Sequence, residues 1–125
     1  MQITTESTTP HRKLIAGLYQ AVDALDAEGV GSFVTDDVLF RLGNFDQLQG
    51  RQQVIDANAA FFSTISAMQH TISGIWSDGN TVICSGEVHY TRKDTSTLSV
   101  PFATVLTLTD SRIADYRVFV DVSPL

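Results

Sequence analysis

A glutamate and a histidine, Glu87 and His89, lie two residues apart in the stretch GEVHY. The surrounding residues 81–92 favour a β-strand, and on a strand positions i and i+2 point to the same side. Imidazole titrates near neutral pH, so a glutamate that orients a histidine makes a proton-transfer pair. The spacing therefore predicts a candidate catalytic pair, with His89 as general base and Glu87 as its orienting partner.

The opposite side of the same strand is apolar. It carries Val82, Cys84, Val88 and Tyr90. By alternation this is the core face, which leaves Glu87 and His89 on the outer face, in solvent or in an interface. A bulge near Gly86 would reverse the assignment. The sequence therefore leaves both positions open for the pair.

The composition is that of an ordinary globular domain and disfavours several classes of partner. The chain has 125 residues, of which 43% are hydrophobic and 18% charged, with a formal net charge of −6. This balance disfavours nucleic acid and anionic membrane surfaces. No apolar run approaches the roughly 20 residues that span a bilayer, and no signal peptide is visible, so we expect a cytoplasmic protein. The sequence indicates no metal and no organic cofactor, and the single Cys84 is expected as a buried apolar residue.

Two long helices are predicted in the first half of the chain. The first begins with Thr9 as N-cap and Pro10 in the first turn, and Gly29 marks its end. The second covers residues 51–69. A short helix or turn and a strand over residues 38–42 lie between them. Residues 1–8 are expected to be a flexible N-terminus, followed by one domain over residues 9–125.

From His70 onward the apolar pattern changes from helical to alternating. Four strands joined by short polar turns are predicted over residues 70–77, 81–92, 97–109 and 112–122. Helices followed by an antiparallel meander predict an α+β domain in which the helices cover one face of a curved sheet.

Several segments, in this order, resemble a known family. They are FVTDDVLFRL, GRQQVIDANAAFF, SDGNTVICSGEV and LTLTDSRIADYRVFVD, and they resemble the NTF2-like superfamily, in particular its SnoaL-like branch. The resemblance implies a cystatin-like cone with an apolar cavity open at one end, and a homodimer formed through the outer face of the sheet. Members include polyketide cyclases, ketosteroid isomerases, limonene-1,2-epoxide hydrolases, dehydratases and proteins that only bind, so the fold does not decide the function.

The resemblance also tests individual positions. Cyclases and epoxide hydrolases of the family carry an acid three residues before the closing Asp of the last strand. With that Asp aligned on Asp121, the acid falls at Val118, which cannot transfer a proton. The isomerases' basic Asp falls near Leu42, and their oxyanion-binding Tyr falls near Ala21, two residues from Tyr19. These activities are therefore disfavoured in their familiar form.

The remaining candidates are expected to surround the cavity. His70 is at a position where the family often carries a histidine, and it either borders the cavity or makes a structural contact. Asn44 follows the first strand near the expected mouth, where it binds a ligand or forms a turn. The predicted substrate-binding set is Tyr19, Phe40, Asn44, Phe61, His70, Trp76, Phe102, Tyr116 and Val118. Its aromatic character implies a small apolar or aromatic ligand.

Two functions from different classes fit these observations. The first is a small-molecule-binding protein that, as an enzyme, would be a cofactor-independent cyclase, isomerase or dehydratase working by acid–base chemistry. In that case Asn44 or Tyr19 would act as hydrogen-bond donor. The second is a non-catalytic interaction and dimerisation domain. An open cavity with converging polar side chains would favour the first function, and a sealed cone filled with aromatic side chains would favour the second.

Overall fold

Three helices pack on one face of a curved, mostly antiparallel sheet, as the sequence predicts. The computed structural model of the protein describes residues 1–6 and 9–125. Within these ranges the helices are α1 (Arg12–Asp23), α2 (Ala27–Gly31) and α3 (Arg51–Phe62). The strands are β1 (Gln2–Ile3), β2 (Val34–Leu42), β3 (Leu48–Gln49), β4 (Ile65–Asp78), β5 (Thr81–Arg92), β6 (Thr97–Thr109) and β7 (Arg112–Val120).

The sheet has the strand order β1-β4-β5-β6-β7-β2-β3. The four long strands β4 to β7 pair antiparallel with their sequence neighbours, as their short connections require. The meander predicted from the alternating pattern is therefore present. β2 pairs with β7 in parallel, and the short β1 pairs in parallel with β4.

The first helix is shorter than predicted. α1 ends at Asp23, and Leu25 then adopts a positive φ of 56°, which turns the chain out of the helix. Asp26 restarts helical structure, because its Oδ1 accepts a hydrogen bond from Gly29 N at 3.0 Å and so caps α2. The predicted helix that runs unbroken to Gly29 is thus two helices with a turn between them.

The helix predicted over residues 51–69 also ends early, at Phe62. The hydroxyls of Ser63 and Thr64 donate to the carbonyl oxygens of Ala60 and Phe61, each at 2.6 Å. Such local bonds compete with helix continuation. Residues 65–69 instead extend β4, which becomes a strand of 14 residues.

Part of the N-terminal segment pairs with the sheet. Gln2 and Ile3 pair with Thr71 and Ile72, and Thr4 N donates to the Ile72 carbonyl oxygen at 2.9 Å. Residues 7 and 8, which belong to the same expected segment, lie outside the described residues. Within the described ranges, no helix has the length and apolar character needed to cross a membrane.

The core lies between the helices and the inner face of the sheet. α1 contributes Ile15, Leu18, Tyr19 and Val22, and β5 contributes Val82, Cys84, Val88 and Tyr90, all buried. β5 keeps simple alternation along its length, so its polar residues face outward. This alternation decides which side chains of β5 reach the interior.

Candidate functional site

A small cavity lies between the helices and the inner face of the sheet. Its volume is about 50 Å³, enough for a few water molecules. Seven of the nine residues in the predicted substrate-binding set border it: Tyr19, Phe40, Phe61, His70, Phe102, Tyr116 and Val118. The rest of the wall is formed by Val22, Leu42, Asn58, Phe62, Met68, Val88, Tyr90 and Val120. The wall is therefore mainly apolar, with a few polar groups.

His70 on β4 is a polar residue of this wall, and it contacts Asp23 at the end of α1, which does not itself border the cavity. His70 Nδ1 lies 2.6 Å from Asp23 Oδ1, and the backbone N–H of His70 donates to Asp23 Oδ2 at 2.8 Å. The α-amino nitrogen of Met1 lies 3.3 Å from the same Oδ2. Only 5% of the His70 surface is exposed. The two contacts from His70 to one carboxylate hold the imidazole in a single orientation.

This geometry assigns the tautomer of neutral His70. A carboxylate can only accept, so Nδ1 carries the hydrogen and donates it to Asp23. Nε2 then holds a lone pair, and no residue in the described ranges makes a hydrogen bond with it. Because the ring borders the cavity, a bound molecule can offer a proton to this nitrogen.

Two aromatic rings hold the His70 imidazole from its sides. The ring centroid of Tyr19 is 4.7 Å from that of His70, and the Phe102 ring stands edge-on at 4.8 Å. The Tyr19 hydroxyl forms a short hydrogen bond with the Thr104 hydroxyl. The Tyr19 hydroxyl also accepts a hydrogen bond from the Cys84 thiol at 3.8 Å. Burial raises the pKa of Cys84, so this cysteine is a poor nucleophile, in keeping with its expected apolar role.

The hydroxyl groups of the cavity tyrosines stay protonated at neutral pH. Burial raises the pKa of Tyr19 and Tyr116, and burial together with the nearby charge of Asp23 raises the pKa of Tyr90 to about 12. These three are all the tyrosines of the chain. Each therefore remains a hydrogen-bond donor under physiological conditions.

Because the pKa values of these tyrosines are raised in the folded protein, the free energy of unfolding is expected to depend on pH in the alkaline range. Unfolded tyrosine loses its proton near pH 10, whereas the folded groups hold theirs to higher pH, so the unfolded state binds fewer protons in this window. The free energy of unfolding should then begin to fall above about pH 8.5, where the unfolded Cys84 thiol loses its proton and the buried thiol does not. It should fall more steeply above pH 10, by about 1.4 kcal/mol per pH unit for each tyrosine. We expect tyrosinate absorbance to rise together with the loss of circular dichroism. A tyrosinate signal near pH 10 in the folded protein would contradict this prediction.

The structure does not bring Glu87 and His89 into the cavity. Both are exposed on the outer face of β5, and His89 Nδ1 lies 2.6 Å from the hydroxyl of Ser99 on β6. The outer position is one of the two that the sequence leaves open. Their role as a catalytic pair has no support from the arrangement of this cavity.

Two members of the predicted binding set also lie away from the cavity. Trp76 is 55% exposed on the outer face, because the register of β4 shifts between Ile72 and Gly74. Its ring instead covers Gly74. Asn44 is exposed in the loop after β2 and borders a surface depression beside Arg41 and Arg117.

Asp23, Asn58 and Tyr90 are polar residues that the sequence analysis did not assign to the site, since it placed Tyr90 only on the core face of its strand. Asp23 stood inside the first predicted helix, which was expected to continue to Gly29. Its place at a helix C-terminus is unfavourable, because the partial negative charge of the helix end repels a carboxylate. An acid at such a position is a usable signal once the end of the helix is known. Asn58 lies on α3, where nothing in its spacing distinguishes it.

The sequence matches one family profile. Residues 15–116 match the SnoaL-like domain. No protein of curated function matches the chain.

Many solved structures share the fold. A protein of Catenulispora acidiphila with a ketosteroid isomerase-like fold, in complex with trimethylamine, is 19% identical, with a TM-score of 0.82 over 93% of this chain and 89% of that one. An epoxide hydrolase of M. tuberculosis similar to limonene epoxide hydrolase is 17% identical, with a TM-score of 0.75 over 88% and 81%. TerC, co-crystallised with polyporic acid, is 18% identical, with a TM-score of 0.79 over 93% and 95%. At these identities the likeness concerns the fold alone.

Proposed function

Because the chain belongs to the SnoaL-like domain family, we propose that it is a cofactor-independent enzyme that transfers a proton on a small apolar or aromatic molecule. The observation that carries this proposal is His70, which borders an apolar cavity and contacts the buried carboxylate of Asp23. Solved proteins of the same fold bind trimethylamine and polyporic acid, which supports a small-molecule ligand.

The proposed chemistry is removal of a proton from a carbon next to a carbonyl group. His70 Nε2 takes the proton, and the carboxylate of Asp23 at 2.6 Å from Nδ1 balances the positive charge that the imidazole gains. The protonated hydroxyls of Tyr90 and Tyr116 border the same space and can donate to the developing enolate oxygen. Return of the proton to another carbon of the enolate gives isomerisation. Attack of the enolate carbon on a second carbonyl carbon of the same molecule gives cyclisation, with the proton passing to the new alkoxide oxygen. Cleavage of a β C–O bond, with the proton passing to the departing hydroxyl, gives loss of water.

The base would thus come from β4 and not from β7. Val118 on β7, at the position where the resemblance places the acid of the cyclases, contributes only apolar surface to the cavity. A bound substrate would displace the water that the cavity can hold, and the mainly apolar wall would then strengthen the interaction of His70 with Asp23 and with the substrate.

The proposal can be tested without knowing the natural substrate. 5-Nitrobenzisoxazole is a flat aromatic molecule whose ring opens to a coloured phenolate when a base removes one C–H proton. The wild-type protein should accelerate this reaction with saturation kinetics. A rate no higher than that of the His70→Gln protein would contradict the proposal.

A second copy of the chain is the partner proposed for the outer face of the sheet. Trp76, Ile83 and Phe119, on β4, β5 and β7, are exposed on this face. The half-buried Val105 and Ala103 of β6 connect them, since Trp76 pairs with Ile83, Ile83 with Val105 and Phe119 with Ala103. Single exposed apolar residues are common on a monomer, but contiguous ones mark an interface. The homodimer that the resemblance implies would cover them.

The dimer predicts a large effect for a single charge on this face. Phe119→Lys should weaken self-association by about 30-fold, as expected for an interface hot spot. Phe45→Lys is the matched control, because Phe45 has the same 57% exposure but lies in the loop between β2 and β3. Sedimentation equilibrium would check both variants. Equal dimerisation of the Phe119→Lys and wild-type proteins, or a monomeric wild type, would contradict the proposal.

A further inference from the structure

A larger open groove lies directly beside the cavity. It runs between β2, the loop that follows it and α3, and its volume is about 510 Å³. Four residues border both spaces: Phe40, Leu42, Asn58 and Phe61. The two spaces are therefore neighbouring chambers that adjoin at these four side chains, which we call the waist.

We propose that one elongated ligand occupies both chambers, with its reacting end in the cavity beside His70 and an apolar body in the groove. This inference rests on the proposed function, because it takes His70 as the group that meets the reacting end. The sizes support it: a cavity of about 50 Å³ holds only the end of an organic molecule, whereas the groove is ten times larger.

The waist carries one polar side chain, Asn58. Its Nδ2 donates to the Val54 carbonyl oxygen of the preceding helical turn at 2.9 Å. Its Oδ1 makes no hydrogen bond with any residue in the part of the chain that the structure describes. This oxygen is thus available to accept from a hydroxyl or amide located between the reacting end and the body of the ligand.

One acidic residue of the groove restricts the charge of the ligand. Asp46 is the one charged residue among those that border the groove, and Phe45 and Leu48 supply apolar surface next to it. The whole chain has a net charge of −6. The ligand body should therefore be apolar and end in a neutral or cationic group, because an anionic end would meet Asp46.

The test uses phenols with a growing 4-alkyl chain. Phenol is a small probe that can donate its O–H to His70 Nε2. As the 4-alkyl chain lengthens from methyl to hexyl, it should extend from the cavity past the waist into the groove. Calorimetric titration should show binding that tightens by about fourfold for each added methylene group. The imidazole resonances of His70 should shift with every member of the series. The analogue of hexylphenol with a terminal carboxylate should bind more weakly than hexylphenol itself.

Two neighbouring alanines on α3 provide the variant and its control. Ala60 and Ala59 are both exposed, but only Ala60 borders the groove. Ala60→Trp should remove most of the gain from the long chain and leave the affinity for phenol unchanged, whereas Ala59→Trp should behave as wild type. If Ala60→Trp does not fold, Phe45→Ser, which alters the exposed rim of the same groove, replaces it.

The outcomes separate this inference from the proposed function. Affinity that does not depend on chain length, or that Ala60→Trp leaves unchanged, overturns the two-chamber ligand. If the His70 resonances still respond to phenol in that case, the proposed function stands. If no phenol affects the His70 resonances, both fail, even if long chains bind in the groove.

Discussion

Replacing His70 with glutamine is expected to lower the rate of 5-nitrobenzisoxazole ring opening by at least about 100-fold, the contribution typical of a positioned general base. Glutamine keeps a polar side chain of similar length but has no nitrogen that accepts a proton near neutral pH. Its amide can still donate to Asp23, so the carboxylate is not left buried without a partner. The loss should therefore appear in kcat with little change in the free energy of unfolding.

The chain offers a matched control for this variant. His89 lies on the neighbouring strand β5, but on the outer face, where its ring contacts Ser99. His89→Gln should leave the rate unchanged, and Asp23→Asn should lower it by less than His70→Gln because Asp23 orients the base without being the base. Equal losses in His70→Gln and His89→Gln would show that the activity does not come from the cavity.

Replacing Gly86 with alanine is expected to destabilise the protein by about 3 kcal/mol or to prevent folding, at the upper end of the range for overpacking. A Cβ atom at Gly86 would overlap the carbonyl oxygen of Thr71 and approach the Ile72 Cα on β4. These are backbone atoms, which cannot move aside as the end of a side chain can. The close approach occurs where the register of β4 and β5 shifts, between Ile72 and Gly74.

The neighbouring Ser85 is the control for this prediction. It lies on the outer face of the same strand and pairs with Gly74 and Ala103. Ser85→Ala should change the free energy of unfolding by no more than about 0.5 kcal/mol, as most surface substitutions do. Urea unfolding followed by circular dichroism would measure both. A Gly86→Ala protein as stable as wild type would mean that β4 and β5 lie further apart than described.

Local pattern was enough to predict the strands of the meander. The alternation in residues 81–92 and 97–109 matches β5 and β6 residue for residue, because one face of each strand is buried and a shift by one residue would expose it. The resemblance of the same segments to the SnoaL-like branch gave the family, which the match over residues 15–116 confirms. The C-terminal ends of the first and second predicted helices were not predicted, because the apolar periodicity continues past them. The turn at Leu25 ends the first helix, and the hydroxyl contacts of Ser63 and Thr64 end the second.

Seven of the fifteen residues that border the cavity, His70 among them, belong to the predicted substrate-binding set, but the contact of His70 with Asp23 was not predicted. Aromatic residues such as Phe102 and Tyr116 are recognisable from their types and their alternation. Asp23 and His70 are 47 residues apart in the chain, and each belongs to a segment whose secondary structure was misjudged near that point. No local pattern links a helix end to a distant strand.

The residue types and their periodicity thus account for the α+β class, the meander, the apolar lining and the candidate histidines. Which histidine reaches the cavity depends on two features. The alternation of β5 turns His89 to the outer face, and the early end of α3 adds residues 65–69 to β4, which continues into His70. Which carboxylate meets it depends on where α1 stops. These are consequences of packing between distant segments, where burial outweighs local propensity, and they place His70 inside and His89 outside.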